Sequence, residues 1–177
     1  HLSCALQDTT SRIMRRMSDE LSSMLKNDRY QIFLLSCPAA LPVSFASHPW
    51  FVVNRKGALS RWDVLLLQRT NWKMRWGHLH KDFFSPFEGV EMFFFTDKYK
   101  WSNVTLLGVV EGGEGSLAHR MADLIESSPQ SYPCSEKYRL TGPNSNTYAQ
   151  WILDRFPECG LRLPWNSVGK HCTIKST

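Results

Sequence analysis

No stretch of this sequence is apolar over the roughly 18 residues that a membrane-spanning helix needs. The five cysteines include no CxxC pair, so there is no structural zinc motif and, with an odd count, no clear disulfide framework. Cys159 and Cys172 could still pair in an oxidising compartment. We therefore expect a soluble domain with no metal and no cofactor. The chain starts at His1 and has no recognisable signal peptide as written. Membrane association, and export after removal of an upstream segment, both remain open alternatives.

Lysine and arginine are dispersed along the chain, and the net charge of +5 is modest. This distribution argues against sequence-specific binding of nucleic acid. The one tight basic cluster, Arg12, Arg15 and Arg16, lies in a predicted N-terminal helix and could contact a membrane surface or a protein assembly. A length of 177 residues favours a single domain over 1–177. We expect a helical extension at 1–28 and the core at 29–177, with aromatic packing from seven Trp and ten Phe.

Hydrophobic periodicity predicts an α+β fold in which helices pack on an antiparallel sheet. The RKGA sequence predicts a hairpin turn, and the region Asn71–Gly89, which has no clear period, predicts a long functional loop. The predicted helices are Asp8–Lys26, Leu117–Ser127 and Tyr148–Phe156; the predicted strands are Tyr30–Cys37, His48–Asn54, Ser60–Gln68, Glu91–Thr96 and Val104–Val110, and a short strand could lie at Tyr138–Leu140.

The segment TGPNSNTYAQWILDRF combines a chain break, a polar run and an amphipathic helix. Asn144 and Ser145 are both good N-cap residues for that helix. Ser145 would then lie beside unpaired backbone N–H groups at the positive end of the helix dipole, a place where nucleophiles and anion sites occur. The alternative is a capped core helix with no chemistry, and caps are far more common than nucleophiles.

Two further residues could act with Ser145. His48 opens a predicted strand that continues into Trp50 on the same face, and we expect this histidine to face the same core as the helix and to serve as a base. Asp63, on the next strand, could accept a hydrogen bond from His48 and fix its tautomer. The alternatives are an ordinary histidine at a strand end and a solvated aspartate.

His78 and His80 form the sequence HLHKD with Asp82. Two histidines at i and i+2 share a face in an extended strand, but no third strong metal ligand is evident. We therefore assign His78 and His80, together with Asn144, Asn146 and Trp50, to ligand binding instead of metal binding.

The stretches GPNSNTYAQWIL, LPWNSVGK, HPWFVVN and SRWDV together resemble an uncharacterised bacterial family, domain of unknown function 3750. The family's hallmark is Gly-Pro-Asn-Ser-Asn-Thr followed by an aromatic residue, and Gly142–Tyr148 match it throughout. The resemblance covers roughly Ser47–Lys170.

The run Asn144–Ala149 is also remotely similar to the Asn-Cys-Glu-His-Phe-Val stretch of the lecithin retinol acyltransferase group, which consists of circularly permuted papain-like proteins related to NlpC-type peptidases. That likeness implies a permuted papain-like fold in which a strand histidine precedes the nucleophile at a helix start. Ser145 stands where that group has cysteine. The likeness implies a hydrolase or acyltransferase acting on an amide or ester of a small-molecule, peptide or lipid substrate. One alternative is a structural subunit. The other is a binding module that uses Asn144, Ser145, Asn146 and an aromatic loop with Trp72, Trp76, Phe83 and Phe84.

Overall fold

An antiparallel sheet with helices packed against it forms the centre of the protein, as the sequence predicts. We describe it from a computed structural model, which defines residues 12, 16–66, 74–94 and 96–174. The strands are β1 Tyr30–Pro38, β2 Ser47–Arg55, β3 Ala58–Val64, β4 Arg75–Trp76, β5 Leu79–Lys81, β6 Glu91–Phe93, β7 Thr96–Lys100 and β8 Thr105–Gly112. Six of them form one sheet in the order β4-β5-β3-β2-β1-β8, and β6 pairs with β7. The helices are α1, residues 16–23, α2 Leu117–Ser131 and α3 Ser145–Leu153, followed by a 3-10 turn, Pro157–Cys159.

The predicted hairpin is confirmed between β2 and β3, whose last pair is Arg55 with Ala58. Its two turn residues, Lys56 and Gly57, both have positive φ, at 52° and 96°. This backbone twist matches the twist of the flanking strands, which is why such turns dominate tight hairpins. The predicted second strand is too long at its end, because Leu65 leaves β3 to bond its N–H to the carbonyl of His78 at 2.8 Å.

Both faces of the central strands are buried. Because side chains alternate along a strand, successive residues of β1 and β2 enter different cores. One core contains Leu34 and Phe51 with residues of α2 and α3. The other contains Phe33 and Trp50 with Leu21 of α1 and three phenylalanines, Phe83, Phe84 and Phe87.

Helix α2 is capped by Ser116, whose Oγ accepts a hydrogen bond from the N–H of His119 at 3.3 Å. The helix does not end at Ser127 as predicted but continues through Pro129. Proline has no N–H for the carbonyl of Ile125 four residues earlier. The hydroxyl of Ser128 donates to that carbonyl instead, at 2.6 Å, so the last turn keeps its hydrogen bonds.

Helix α1 confirms the predicted N-terminal helix for residues 16–23, and the expectation for residues 8–11 and 13–15 lies outside the described residues. Leu21 is buried in the second core. Over the described parts of the chain, none of the helices is both long and apolar enough to cross a membrane.

Three local predictions are wrong. The described part of Asn71–Gly89 is only partly an irregular loop, because β4 and β5 extend the sheet beyond β3 while residues 82–89 form no helix or strand. Both strands are too short to show a period in the sequence. The predicted strand Glu91–Thr96 is split between β6 and β7, and Tyr138–Leu140 forms no strand.

Candidate active site

Helix α3 begins within the GPNSNT motif and is capped by Asn144. The Oδ1 atom of Asn144 accepts hydrogen bonds from the N–H groups of Asn146, at 3.0 Å, and Thr147, at 3.3 Å. Thr147 Oγ1 in turn accepts from the N–H of Asn144 at 3.1 Å, which completes a reciprocal capping box. The sequence offered Asn144 or Ser145 as the cap. Because Asn144 fills that role, Ser145 is the first helical residue and its hydroxyl is not used for capping.

The downstream NSVGK stretch packs directly against this motif. The carbonyl of Val168 accepts hydrogen bonds from Nδ2 of both Asn144 and Asn146, each at 3.0 Å. Thr147 Oγ1 donates to the carbonyl of Gly169 at 2.8 Å. These bonds explain why two separated stretches of sequence belong to one pattern: the second stretch supplies the acceptors for the polar side chains of the first.

Asn146 also joins helix α3 to the sheet. Its Nδ2 donates to the carbonyl of Ser47, the first residue of β2, at 2.9 Å. Its Oδ1 is buried and has no hydrogen-bond partner among the described residues. The Asn146 amide therefore fixes the start of α3 against the strand that contains His48.

Ser145 is 4% exposed, and its hydroxyl has no hydrogen-bond partner among the described residues. Its backbone N–H also lacks an acceptor there, unlike the other N–H groups of the first helical turn. Ser145 and His48 line one cavity of about 200 Å³, here called the Ser145 cavity. Its other lining residues are Ala39, Val43, Phe45, Ala46, Ser47, Tyr138, Leu140, Thr141, Asn144, Asn146 and Val168.

Behind His48 lies a buried charged set. His48 Nε2 is 3.4 Å from Asp63 Oδ2, and Arg61 Nη2 donates to the same oxygen at 3.0 Å. Asp63 and Arg61 are both fully buried. Burial alone raises the pKa of Asp63, but the Arg61 guanidinium and then the His48 ring lower it by more, so the net pKa lies below its usual value. Asp63 therefore carries a negative charge directly beside His48.

The guanidinium of Arg61 is packed within the second core. It lies over the Trp50 ring at 4.2 Å and over the Phe84 ring at 5.2 Å. Its Nη1 donates to the carbonyls of Ser85, at 2.8 Å, and Glu88. Sequence reasoning missed this residue because arginine is rarely fully buried. The available signal was the spacing of Arg61 and Asp63, which places both on one face of β3.

The expectation that His48 faces the same core as α3 is wrong. His48 shares its strand face with Trp50, which belongs to the second core, whereas α3 packs on Phe51 in the first. The alternation of side chains along β2 correctly places His48 on the same face as Trp50. It does not show on which face the helix packs. Ser145 and His48 make no hydrogen bond with each other, and they come together only where both line the Ser145 cavity.

The other predicted binding residues lie away from this cavity. Trp50 is fully buried, donates its indole N–H to the carbonyl of Pro86 at 2.9 Å and supports Arg61. His78 Nδ1 is 3.1 Å from the carbonyl oxygen of Leu65, and its ring contacts Tyr138 at 5.5 Å. His80 is buried, pairs with Asp63 in the sheet and contacts Phe83 ring edge to face at 5.2 Å.

The described part of the Asn71–Gly89 region, which the sequence predicts to be a functional loop, does not line the Ser145 cavity. The loop at 39–46 and the segment at 138–141 form the walls instead, because that region is occupied in extending the sheet. Tyr138, which no sequence signal singled out, lines this cavity and also an adjoining one.

Within the described residues, no group of three or more His, Cys, Asp and Glu side chains is arranged to bind a metal. Cys159 and Cys172 are free thiols, so the disulfide that the sequence left open is not formed. Burial raises the pKa of Cys37 to about 12, which makes that thiol a poor nucleophile.

The fold and site define an α+β protein in which a motif serine at a helix start lies beside a cavity backed by a histidine, an aspartate and an arginine. Residues 31–172 match the family described as Protein of unknown function (DUF3750). The match covers most of the chain, which therefore belongs to that family, and the resemblance drawn from its GPNSNT motif is confirmed. No match was found among curated proteins, and none among solved structures.

Proposed function

We propose that this protein is a serine-dependent hydrolase or acyltransferase that acts on an amide or ester. Ser145 is the nucleophile, His48 the general base and Asp63 the residue that orients His48. One observation supports this most strongly: a nearly buried serine hydroxyl without a hydrogen-bond partner shares a cavity with a histidine whose far nitrogen faces a buried carboxylate. This combination of nucleophile, base and orienting group is the general requirement for activating a hydroxyl.

The hydrogen bonds already made by His48 determine which of its atoms is free to take part in the reaction. Because His48 Nε2 faces Asp63, Nδ1 is the nitrogen that takes the hydroxyl proton as Ser145 Oγ bonds to the substrate carbonyl carbon. The unpaired N–H of Ser145 and the helix dipole stabilise the oxyanion. The carbon–oxygen or carbon–nitrogen bond then breaks, and the leaving group takes the proton from His48. Water, or an acceptor alcohol or amine, gives a proton to His48, bonds to the acyl carbon and releases Ser145 with that proton.

The order of the residues along the chain supports the same assignment. His48 on a strand precedes Ser145 at a helix start, as in circularly permuted papain-like proteins, and α3 packs against the strand that contains the histidine. We propose that the fold is a variant of that arrangement. Serine in the nucleophile position makes the base more important, because a hydroxyl, unlike a thiol, gives almost no anion at neutral pH.

A serine-reactive fluorophosphonate probe tests the proposal. We expect the adduct on Ser145 by peptide mass spectrometry, and its loss in Ser145→Ala and in His48→Ala. Ser167→Ala is the matched control, since Ser167 is equally buried and its hydroxyl also lacks a partner among the described residues, but it does not line the Ser145 cavity. An adduct that persists in His48→Ala, or one located on Ser47, would overturn the assignment.

A second candidate function is a binding module that keeps the cavity without turnover. The observation that favours it is the placement of His48 and α3 on opposite faces of the sheet, with no hydrogen bond between His48 and Ser145. This function predicts no labelling of Ser145 by the probe in a folded protein that still binds small apolar molecules in its cavity.

A further inference from the structure

The Ser145 cavity has an unusual lining for a site that would recognise a peptide or a glycan. None of its thirteen lining residues is Asp, Glu, Lys or Arg. Its polar side chains are concentrated around Ser145, and two of them are already engaged, since Asn144 caps α3 and the amide nitrogen of Asn146 donates to Ser47 and Val168. Six of the thirteen lining residues are apolar and none is charged, which favours an apolar ligand over a peptide or a sugar.

Three large apolar residues connect the lining of the cavity to the protein surface. Phe45, Leu140 and Val168 line the cavity and are 71%, 54% and 37% exposed. Large apolar side chains that join a cavity to the surface mark the path by which an apolar ligand enters.

A second, smaller cavity adjoins the Ser145 cavity at His48. An adjoining cavity of about 70 Å³ shares Ala39, Val43, His48 and Tyr138 with the Ser145 cavity. Its other lining residues are apolar apart from the buried Glu91, and they include Val64, Leu65, Phe84 and Val90. A water molecule needs several polar partners, so a lining that is mainly apolar is better suited to hydrocarbon.

Size limits what can fill the two cavities. Each is smaller than the roughly 300–1,000 Å³ that sites for whole drug-sized ligands occupy. A linear chain is the shape that best fits two small cavities that adjoin along four shared residues. We infer that the acyl group taken by this site is a linear apolar chain, which extends from Ser145 past His48 into the adjoining cavity. This inference rests on the proposed function for its acyl chemistry.

Two fluorophosphonates that differ only in an ethyl or an octyl chain test the inference. In both, Ser145 Oγ bonds to phosphorus, fluoride leaves and the hydroxyl proton passes through His48 to solvent. Each buried methylene is worth about 4-fold in affinity, so we expect the octyl reagent to label Ser145 at least ~10-fold faster. Ala40→Phe, which fills the adjoining cavity, should lower the octyl rate to the ethyl rate and so abolish this advantage. Ala58→Phe, an exposed position at the hairpin turn, is the matched control and should change neither rate.

The outcomes separate the two proposals. Equal rates for the two reagents would overturn the chain inference while leaving Ser145 as a nucleophile. If neither reagent labels Ser145, the proposed function fails. An NMR titration of the Ser145→Ala variant with octan-1-ol then tests whether the site binds a linear chain. Chemical-shift changes at the methyl groups of Ala40 and Val90 would support the apolar channel, and unchanged shifts would overturn it as well.

Discussion

Asn146 Nδ2, on the first turn of α3, lies 2.9 Å from the carbonyl oxygen of Ser47 at the start of β2. Ser145 and His48 are the chain neighbours of these two bonded residues. The hydrogen bond therefore fixes the separation of the proposed nucleophile and base, which come from opposite sides of the sheet. The same nitrogen donates to Val168, so one amide positions three segments of the chain.

Asn146→Ala removes both donations and leaves the carbonyl of Ser47 unpaired, whereas the carbonyl of Val168 still accepts from Asn144. Buried polar groups without a partner cost about 1–3 kcal/mol, so we expect a loss of this size in the free energy of unfolding, together with slower fluorophosphonate labelling. Urea denaturation measures the first quantity. Asn166→Ala, which removes an exposed bond to Phe45, is the control and should cost under about 1 kcal/mol. Equal effects of the two substitutions would show that Asn146 does not link the helix to the sheet.

Trp151→Ala tests the packing of α3 on the sheet. Trp151 is 6% exposed and its ring contacts Tyr132 at 5.2 Å. Removing a buried tryptophan costs about 3–5 kcal/mol, whereas an exposed one costs under ~0.5 kcal/mol. Trp165→Ala, at a position 91% exposed, is the matched control. A change below about 1 kcal/mol for Trp151→Ala in a denaturant titration would mean that this helix face is not part of the core.

Arg61→Met leaves the buried Asp63 carboxylate without its cation. Breaking a buried ion pair in this way costs about 3–5 kcal/mol at neutral pH. The comparison is Arg55→Met, whose half-exposed ion pairs with Asp123 and Glu126 are worth about 1 kcal/mol at most. Similar losses in the two variants would contradict the proposed importance of the Arg61–Asp63 pair.

The same pair predicts a dependence on pH. Because the pKa of Asp63 is lowered in the folded protein, its contribution to stability is complete above the unfolded value of about 3.9 and is lost as pH falls through the folded value. The difference in unfolding free energy between wild type and Asp63→Asn should therefore be largest at neutral pH and shrink below about pH 4. A difference that stays constant into acid would show that Asp63 is not a stabilising anion.

Gly142→Ala tests the turn that leads into α3. Gly142 has a φ of +106°, and an added Cβ would lie 2.7 Å from Cβ of Cys172. Gly160 has a φ of +71° with no atom within 4 Å of such a Cβ, so Gly160→Ala measures backbone strain alone. We expect Gly142→Ala to cost about 1–3 kcal/mol more than Gly160→Ala, because overpacking adds to the strain. Equal melting shifts would show that the turn has room for a side chain.

The sequence predicted the elements whose signals are local. The RKGA turn and the GPNSNT cap were both readable, since each depends on a few adjacent residues. The features that could not be predicted depend on contacts between residues that are distant in the chain. The helix was predicted to end before Pro129, because the sequence does not show that the Ser128 hydroxyl replaces the N–H that proline lacks. Arg61 could not be recognised as a buried ion, because its aromatic and carbonyl partners come from other segments.

The main site residues illustrate the same limit. The sequence placed His48, Asp63 and Ser145 in one hypothesis, and the structure brings His48 and Asp63 within 3.4 Å and gives Ser145 and His48 one cavity. The face of β2 on which α3 packs was predicted wrongly. Alternation along a strand assigns residues to two faces but does not say which face a later helix covers.

The coupling between Ser145 and His48 is tested most directly by Ser145→Cys. The alkylation rate of the introduced thiol by iodoacetamide at neutral pH is followed by peptide mass spectrometry, with the half-buried Cys159 as an internal reference and the buried Cys37 as an unreactive one. If His48 accepts a proton from position 145, this thiol should react faster than Cys159, and His48→Ala should remove the difference. A rate equal to that of Cys159, unchanged by His48→Ala, would contradict the proposed catalytic pair.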